Sequence, residues 1–167
     1  MSMETNDLLL KKATPEDWEA MYRNVWSRPE AARYMQWQIT TSAVDAQARM
    51  ARTIAWQTNH DTYLVYEKSS DQAIGFAGVE EIAPQIYQDA SIALGPEYVG
   101  KGYGKQILQL LLKHCATTLG GKEFYYSTRS VNQASRALAR SCGFSYHHSE
   151  EKTCLLYTSD AADDLTR

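Results

Sequence analysis

The sequence lacks the features that would place it in a membrane, in a disulfide scaffold or on nucleic acid. Its three cysteines are an odd set without a C-x-x-C pair, which fits neither a disulfide framework nor a zinc site. Its densest apolar stretch, residues 107–112, is far shorter than the roughly 18 residues of a membrane-spanning helix. The 17 Lys and Arg residues are scattered and the formal net charge is -3, so the basic stripe of a nucleic-acid binder is missing. We therefore expect a cytoplasmic protein that acts on a small molecule or another protein, without a metal, a membrane or a nucleic acid.

The chain of 167 residues, with 9 Gly and 4 Pro, has the length and composition of one globular domain. Apolar residues recurring every three or four positions predict helices, and clusters of β-branched and aromatic residues predict strands. The predicted helices span residues 14–27, 30–35, 43–58, 102–119 and 132–142. The predicted strands span residues 7–13, 62–67, 73–82, 89–94, 123–128 and 144–148. This order indicates an α+β fold in which helices flank a central mixed, mostly antiparallel sheet.

The end of the chain has the sequence of a translated DNA adaptor. From Cys154 it reads C-L-L-Y-T-S-D-A-A-D-D, which a sequencing-library transposase adaptor encodes. We therefore expect residues 1–153 to form the single domain and residues 154–167 to be a read-through tail that is not native. On this hypothesis the natural protein continues beyond Thr153, and one or more C-terminal strands are truncated. A natural acidic tail is the alternative, and resequencing the locus with another library chemistry decides between the two.

The segment 95–105, G-P-E-Y-V-G-K-G-Y-G-K, joins a predicted strand to a predicted helix and carries the strongest chemical signal. Gly100, Gly102 and Gly104 allow the backbone to turn its N–H groups toward one point, where the helix start adds a positive dipole end. Proteins bind phosphate or pyrophosphate in this way. Gly102 stands where a P-loop has the Ser or Thr that binds magnesium, so a P-loop nucleotide hydrolase is a distant third hypothesis. A dinucleotide fold is excluded because the spacing is G-x-G-x-G after a β-meander.

The segment resembles the acetyl-CoA signature R/Q-x-x-G-x-G/A of the GCN5-related N-acetyltransferase (GNAT) superfamily. A second stretch, from Asn132 through Ser135 to Gly143 and Phe144, is similar to the family's N-x-x-S/A helix that ends in G-F. The order of elements agrees over residues 7–153. Segments 29–37 and 96–98 resemble the branch that includes ribosomal-protein alanine and spermidine acetyltransferases. The resemblance implies a GNAT-like fold and an acetyl-CoA-dependent N-acetyltransferase.

The resemblance also implies where acetyl-CoA, the acetyl donor, contacts the chain. The backbone of Ile92, Ala93 and Leu94 is expected to pair with the pantetheine arm, and one of these N–H groups to polarise the thioester carbonyl. Asn132 and Ser135 are expected near the pantetheine amides, although both are also common at helix starts. The pyrophosphate is expected to contact Val99, Gly100, Lys101, Gly102, Tyr103, Gly104 and Lys105. For Lys101 and Lys105, a solvated surface charge is the alternative.

Two residues that act in relatives are absent. The general-acid tyrosine would fall at Ala139, and the strand glutamate that serves some relatives as base would fall at Ser127. Ser135 is the nearest alternative proton donor to the leaving thiolate. Glu80 and Glu81 are the remaining base candidates, and strand alternation directs only one of them into the site.

The helical insert after the first strand is expected to bind the acceptor through Tyr34 and Trp37, whereas Trp18, Trp26 and Trp56 are expected core residues. The leading hypothesis is an enzyme that transfers the acetyl group to a primary amine by direct attack in a ternary complex. The acceptor is then a small-molecule amine or a protein amino terminus. The alternative is a non-catalytic acetyl-CoA-binding module of the same fold, which the missing tyrosine and glutamate favour. The sequence leaves a homodimer open.

Overall fold

The computed structural model describes residues 3–33, 35, 37–129, 132–149 and 154–160. The strands are, in chain order, Met3–Glu4 (β1), Leu8–Lys11 (β2), Asp61–Glu67 (β3), Gln72–Ala83 (β4), Ile86–Leu94 (β5), Glu123–Arg129 (β6), Ser145–Ser149 (β7) and Cys154–Asp160 (β8). The helices are Trp18–Met21 (α1), Pro29–Ala32 (α2), Ala43–Gln57 (α3), Tyr103–Thr117 (α4) and Gln133–Ser141 (α5). Among the described residues, no helix is long and apolar enough to cross a membrane.

The chain divides into two units. The first comprises residues 1–78 and 91–103, and the second comprises residues 79–90 and 104–167. Both β4 and β5 contribute residues to each unit. The strand order is β1-β2-β3-β4-β5 in the first unit and β4-β5-β6-β8-β7 in the second. The pairing of β5 with β6 is parallel, whereas β1 with β2, β2 with β3, β6 with β8 and β7 with β8 are antiparallel. The predicted α+β class with a mixed sheet is confirmed.

The first unit begins its helical layer at Thr14, whose backbone N–H donates to the Asp17 carboxylate over 2.9 Å. A short 3₁₀ turn, Pro15–Asp17, leads into α1, and a π-helical turn, Tyr22–Trp26, follows it. One continuous helix was predicted here, and the structure divides it because the π turn shifts the backbone bonds by one residue. The longer helix α3 begins as predicted, since the Ser42 hydroxyl accepts the Asp45 N–H over 3.1 Å.

The core of the first unit lies where this helical layer packs on β3 and β4. The fully or almost fully buried members are Met21, Val25, Trp26, Ala46, Met50, Leu64, Tyr66 and Ala73. Trp26 is 2% exposed, as expected of a core residue, and Trp18 packs against the cluster. Trp56 is 57% exposed, so its assignment to the core was wrong. It lies on the outer side of α3 and stacks on His60 with ring centroids 3.4 Å apart.

Lys12 connects the end of β2 to the segment after α3. Its Nζ donates to three backbone carbonyls, those of Gln57, His60 and Thr62, over 2.8, 2.7 and 3.0 Å. The ammonium therefore satisfies the carbonyl of Gln57, which the end of α3 leaves without an intrahelical partner, and also binds two carbonyls of the segment that follows.

Replacing Lys12 with Met keeps the length of the side chain and removes these three hydrogen bonds. We expect the free energy of unfolding to fall by about 1–2 kcal/mol, because hydrogen bonds to a charged group exceed the ordinary contribution. Urea denaturation measures the change. Lys68→Met is the matched control, since Lys68 makes one surface ion pair with Glu4 at 3.6 Å and such pairs contribute little. Equal losses in the two variants would contradict the role given to Lys12.

The second unit is built on α4, whose apolar face was predicted from its spacing. The fully buried side chains on this face include Ile107, Leu108, Leu111 and Cys115. They share the unit with an aromatic group in which Phe144 lies 5.9 Å from the ring centroids of both Phe124 and Tyr126. The helix ends as predicted before Gly120, which has a φ of +69°.

The carboxyl-terminal segment forms a strand. Cys154–Asp160 pairs with all of β6, from Arg129 opposite Cys154 to Glu123 opposite Asp160, and its other edge pairs with β7. We expected a strand to be missing after residue 153, and the structure instead has β8 there. The physical reason is general: the edge of β6 presents unpaired backbone groups, and a β-prone segment pairs with them whatever its origin. That residues 154–167 are adaptor-encoded stays a prediction.

Candidate active site

Strand β5 pairs with β6 over only the first part of its length. Its parallel ladder with β6 comprises Ile86 with Glu123, Tyr87 with Phe124 and Gln88 with Tyr125. From Asp89 to Leu94, β5 has no ladder partner on β6, a strand that the structure describes over its whole length. The segment left without this partner includes Ile92, Ala93 and Leu94, the residues expected to pair with a pantetheine arm.

The chain turns sharply where β5 ends. The Gly95 N–H donates to the carbonyl of Ile74 over 2.9 Å. A Cβ at Gly95 would lie 2.3 Å from the carbonyl oxygen of Asn24, so only glycine fits this position. Asn24 is itself fixed, because its amide donates to the Ala73 carbonyl over 3.0 Å. The start of the loop is thus anchored by close backbone contact with the first unit's helical layer.

The loop between β5 and α4 has the conformation that the glycine spacing predicted. Gly100 and Gly102 have φ values of +81° and +80°, which side chains with a Cβ adopt only with strain. A Cβ at either residue would meet no atom within 4 Å, so the turn faces open space. Val99, where the family signature has Arg or Gln, is 60% exposed. Alternating positive φ values at the start of a 15-residue helix give the backbone N–H groups a shared direction that suits an anion.

Gly104 has a different role from the two glycines before it. A Cβ at Gly104 would lie 3.3 Å from a methyl group of Leu138, within the second unit. This glycine therefore permits close packing of the first turn of α4 against α5. Lys105 follows it as an exposed residue of the same turn.

The buried carboxylate of Glu67, at the end of β3, holds the end of the loop. It accepts the hydroxyl of Tyr103 over 2.7 Å, and the Lys101 ammonium lies 3.8 Å away. Lys101 also lies over the rings of Tyr98 and Tyr103, at 5.5 and 5.8 Å from their centroids. The hydrogen bond to Glu67 raises the pKa of Tyr103 to about 12. Glu67 was not predicted from the sequence, and it gives Lys101 a partner within the protein.

The acidity of Glu67 reflects opposing influences. Burial by itself would raise its pKa, but hydrogen bonds from Ser70, Tyr103 and Ser69, with the charge of Lys101, hold the pKa below its usual value of 4.5. A depressed carboxylate pKa means that the ionised form stabilises the fold above the unfolded-state pKa. This contribution is lost as the pH falls through the folded-state value.

We expect the stability advantage of the wild type over Glu67→Gln to be constant near neutral pH and to shrink below about pH 4.5. Urea denaturation at a series of pH values measures it. Tyr103→Phe keeps the carboxylate and removes one donor. Its free energy of unfolding should therefore lie between those of the wild type and Glu67→Gln. An advantage that does not change between about pH 7 and the acid limit of folding would show that Glu67 is not held in its ionised form.

The segment expected to bind the acceptor lies in the first unit beside the loop. Arg28, which precedes α2, forms an ion pair with Glu97 in the 3₁₀ turn at Pro96–Tyr98. Trp37 packs edge-on against Phe76 at 6.3 Å and lies under the guanidinium of Arg49 at 4.8 Å. Its indole N–H is buried and has no hydrogen-bond partner in the described part of the chain. Tyr34, the other predicted acceptor residue, lies outside the described residues.

In the second unit, the start of α5 places the predicted Asn132 and Ser135 together. The Asn132 side chain accepts the Ser135 N–H over 3.1 Å and caps the helix. The Ser135 hydroxyl hydrogen-bonds to the phenol of Tyr126 on β6. Burial raises the pKa of Tyr126, and the charge of Asp89 raises it further, so the phenol stays protonated at neutral pH. Tyr126 is thus a second hydroxyl beside the proposed proton donor, whereas Ala139 is buried and offers none.

The two predicted base candidates have different surroundings. The Glu81 carboxylate accepts the Gln85 N–H over 3.1 Å and closes the turn between β4 and β5. Glu80 is exposed, and its charge acts on Asp89, a buried carboxylate of β5. Sequence reasoning missed Asp89 and Tyr126. Their signals were an acidic residue in an otherwise uncharged strand segment, and the alternation that buries Phe124, Tyr126 and Thr128 on one face of β6.

A mixed sheet in which one strand loses its partner and runs into a glycine turn and an amphipathic helix defines an acyl-CoA N-acyltransferase fold. A family profile described as the acetyltransferase (GNAT) domain matches residues 7–145. The chain belongs to this family, and the predicted family is confirmed.

Three known proteins are similar to the chain. The N-alpha-acetyltransferase RimI of Mycobacterium tuberculosis is 32% identical over 100 residues, which cover 58% of this chain and 59% of the relative. An acetyltransferase structure from Bacillus anthracis has a TM-score of 0.82 at 16% identity, covering 97% of this chain and 99% of its own. The ribosomal L7/L12 alpha-N-protein acetyltransferase RimL in complex with coenzyme A has a TM-score of 0.80 at 20% identity, covering 96% and 98%. The chain spans about three fifths of the length of the RimI relative.

Proposed function

We propose that the chain is an acetyl-CoA-dependent N-acetyltransferase that acetylates a primary amine by direct attack in a ternary complex. The observation that carries the proposal is the end of β5 that has no ladder partner on β6 and that leads into the turn at Gly100 and Gly102. Extended backbone without a ladder partner suits an extended pantetheine arm, and the turn suits a pyrophosphate. Membership of the GNAT family supports the same donor.

Acetyl-CoA supplies an acetyl group on a thioester, whose carbonyl the free amine attacks while the thiolate leaves. The backbone N–H groups of Ile92, Ala93 and Leu94 orient the donor, and one of them stabilises the oxyanion that develops on the carbonyl oxygen. The loop N–H groups neutralise the pyrophosphate, with Lys101 drawn either to Glu67 or to a phosphate. No covalent bond to the protein is required.

Proton transfers complete the reaction. The ammonium acceptor gives up a proton before it attacks, and a carboxylate such as Glu80 takes it through water. The leaving thiolate accepts a proton from Ser135, whose hydroxyl is linked to Tyr126. The nitrogen loses a second proton after its attack, and this proton restores the Ser135 hydroxyl. Because RimI and RimL are described as alpha-amino acetyltransferases, protein amino termini are the first acceptors to try.

Release of free coenzyme A from acetyl-CoA tests the proposal when measured against a panel of peptides, amino acids and polyamines. Mass spectrometry of the accepted amine identifies the product. We expect turnover that rises with pH and falls in Glu80→Gln. Failure of the folded protein to bind acetyl-CoA would refute the proposal.

A non-catalytic acetyl-CoA-binding module is the second candidate. The absence of a tyrosine at Ala139 and of a glutamate at Ser127 favours it. Binding of acetyl-CoA without turnover of any amine across the accessible pH range would establish this candidate instead.

A further inference from the structure

The place where β5 and β6 stop pairing is occupied by a buried side chain. The last ladder pair is Gln88 with Tyr125, and Asp89 is the next residue of β5. Asp89 is 8% exposed. A carboxylate in such a position is costly unless hydrogen bonds compensate for the loss of water. The hydrogen bonds of the Asp89 carboxylate therefore indicate its role.

The Asp89 carboxylate takes a backbone bond that a ladder would have made. The N–H of Ser127 on β6 donates to Asp89 Oδ1 over 2.8 Å, and the Ser127 hydroxyl lies 3.3 Å from the same oxygen. In a continuous parallel ladder, a strand N–H donates to a carbonyl of its neighbour. Here a side chain supplies the acceptor, so β6 is held without extending the ladder along β5.

The titratable groups that face Asp89 come from two neighbouring strands. Glu80 on β4 acts on it through its negative charge, and Tyr126 on β6 interacts with it electrostatically. Cys142, after α5, acts in turn on Tyr126. No cation among the described residues forms an ion pair with Asp89. Its hydrogen bonds to Ser127 are therefore its main stabilising contacts.

We propose that Asp89 is a positioning residue for acetyl-CoA: its carboxylate holds β6 by the Ser127 N–H and so ends the ladder that would otherwise occupy the binding edge of β5. The inference rests on the proposed function, because it assigns that edge to the pantetheine arm. Asp89 acts through the backbone and makes no contact with the reacting atoms in this role.

The role has a dependence on pH. Burial, together with the charge of Glu80, raises the pKa of Asp89 to about 7 against the opposing effect of the Ser127 hydrogen bonds. Above pH 7 the ionised carboxylate is a strong acceptor for the Ser127 N–H. Below pH 7 the protonated form accepts more weakly and gains a proton that must be donated elsewhere. Acetyl-CoA binding is therefore strongest above pH 7 and weakens as the pH falls through 7.

Two variants of the full chain test the proposal, with calorimetry of acetyl-CoA binding at about pH 6, 7 and 8. Asp89→Ala removes the acceptor, and we expect the Kd to rise about tenfold at pH 8. Asp89→Asn keeps an oxygen for the Ser127 N–H but cannot ionise. We expect it to recover most of the affinity lost in Asp89→Ala and to lose the extra weakening at low pH. The phosphates of acetyl-CoA also titrate, but their effect on the Kd is the same for the wild type and both variants. It therefore cancels when the three Kd values are compared.

Other outcomes would overturn the proposal. An unchanged Kd in Asp89→Ala would show that the contact does not position the cofactor edge. Normal binding in Asp89→Asn together with a loss of kcat equal to that of Asp89→Ala would make Asp89 a proton-transfer group instead. If the wild type itself fails to bind acetyl-CoA, the proposed function is refuted. Measuring the wild type beside the variants distinguishes this outcome from failure of the role given to Asp89.

The Ser127 amide gives a measurement that does not depend on the variants folding. In the unliganded wild type, we expect its proton chemical shift to titrate with an apparent pKa near 7, because the Ser127 N–H donates to the Asp89 carboxylate. An amide that shows no such titration would refute the hydrogen bond on which the proposal depends.

Discussion

Gly102→Glu is expected to raise the Kd for acetyl-CoA by about 100-fold or more, which corresponds to about 2.7 kcal/mol. The substitution places a carboxylate on the turn where the pyrophosphate is proposed to lie, so like charges repel in place of the attraction from backbone N–H groups. It also forces a side chain into a φ of +80°. Because a Cβ at Gly102 meets no atom within 4 Å, the protein should still fold. Calorimetry with acetyl-CoA measures the effect.

Gly120→Glu is the matched control for this prediction. Gly120 has a φ of +69°, is exposed, and also has open space around its missing Cβ. The substitution therefore carries a similar backbone strain and the same charge, but at the end of α4. We expect acetyl-CoA binding within about twofold of the wild type. Equal losses in both variants would mean that strain or net charge, and not the pyrophosphate turn, explains the result.

Gly75→Ala is expected to lower the free energy of unfolding by about 3 kcal/mol and the Tm by about 6–12 °C. A Cβ at Gly75 on β4 would lie 2.2 Å from the carbonyl oxygen of Ala93 on β5. A backbone oxygen cannot move away without disturbing its strand. Since Ala93 belongs to the segment proposed to bind the pantetheine arm, acetyl-CoA affinity should fall as well. Thermal denaturation and calorimetry measure the two effects.

Gly120→Ala tests whether the effect at Gly75 is specific. It makes the same chemical change where the added methyl group meets nothing, and its cost is the strain of a positive φ, about 1–2 kcal/mol. We expect it to leave acetyl-CoA binding unchanged. A Gly75→Ala variant with wild-type affinity would show that the position of Ala93 does not matter for the cofactor.

Sequence reasoning succeeded where a local pattern has one physical solution. The apolar spacing of residues 107–115 requires a buried helix face, and α4 has it. The glycines at 100 and 102 predicted a turn before α4, and in the structure both residues have a positive φ. Ser42 with Asp45 predicted the start of α3, because a cap depends only on neighbours in the chain.

Sequence reasoning failed where distant residues decide. Trp56 follows the pattern of a core residue, but it is exposed and stacks on His60. The contact of Lys101 with Glu67, a residue 34 positions earlier in the chain, was not predicted, and the role of Lys101 as a phosphate ligand stays a prediction. The strand β8 was not predicted, because residues 154–160 were assigned to an adaptor-encoded tail and their pairing depends on the edge of the distant strand β6.

The sequence by itself determined the class of protein, since the glycine turn, the strand before it and the helix after it are contiguous and depend on local backbone geometry. The tertiary structure decided which side chains are fixed by hydrogen bonds and how their pKa values shift. Asp89 stands in one strand, and its pKa depends on its own burial and on Ser127 and Glu80 in two other strands. Because a pKa depends on such neighbours, its shift from the ordinary value arises only when the chain has folded.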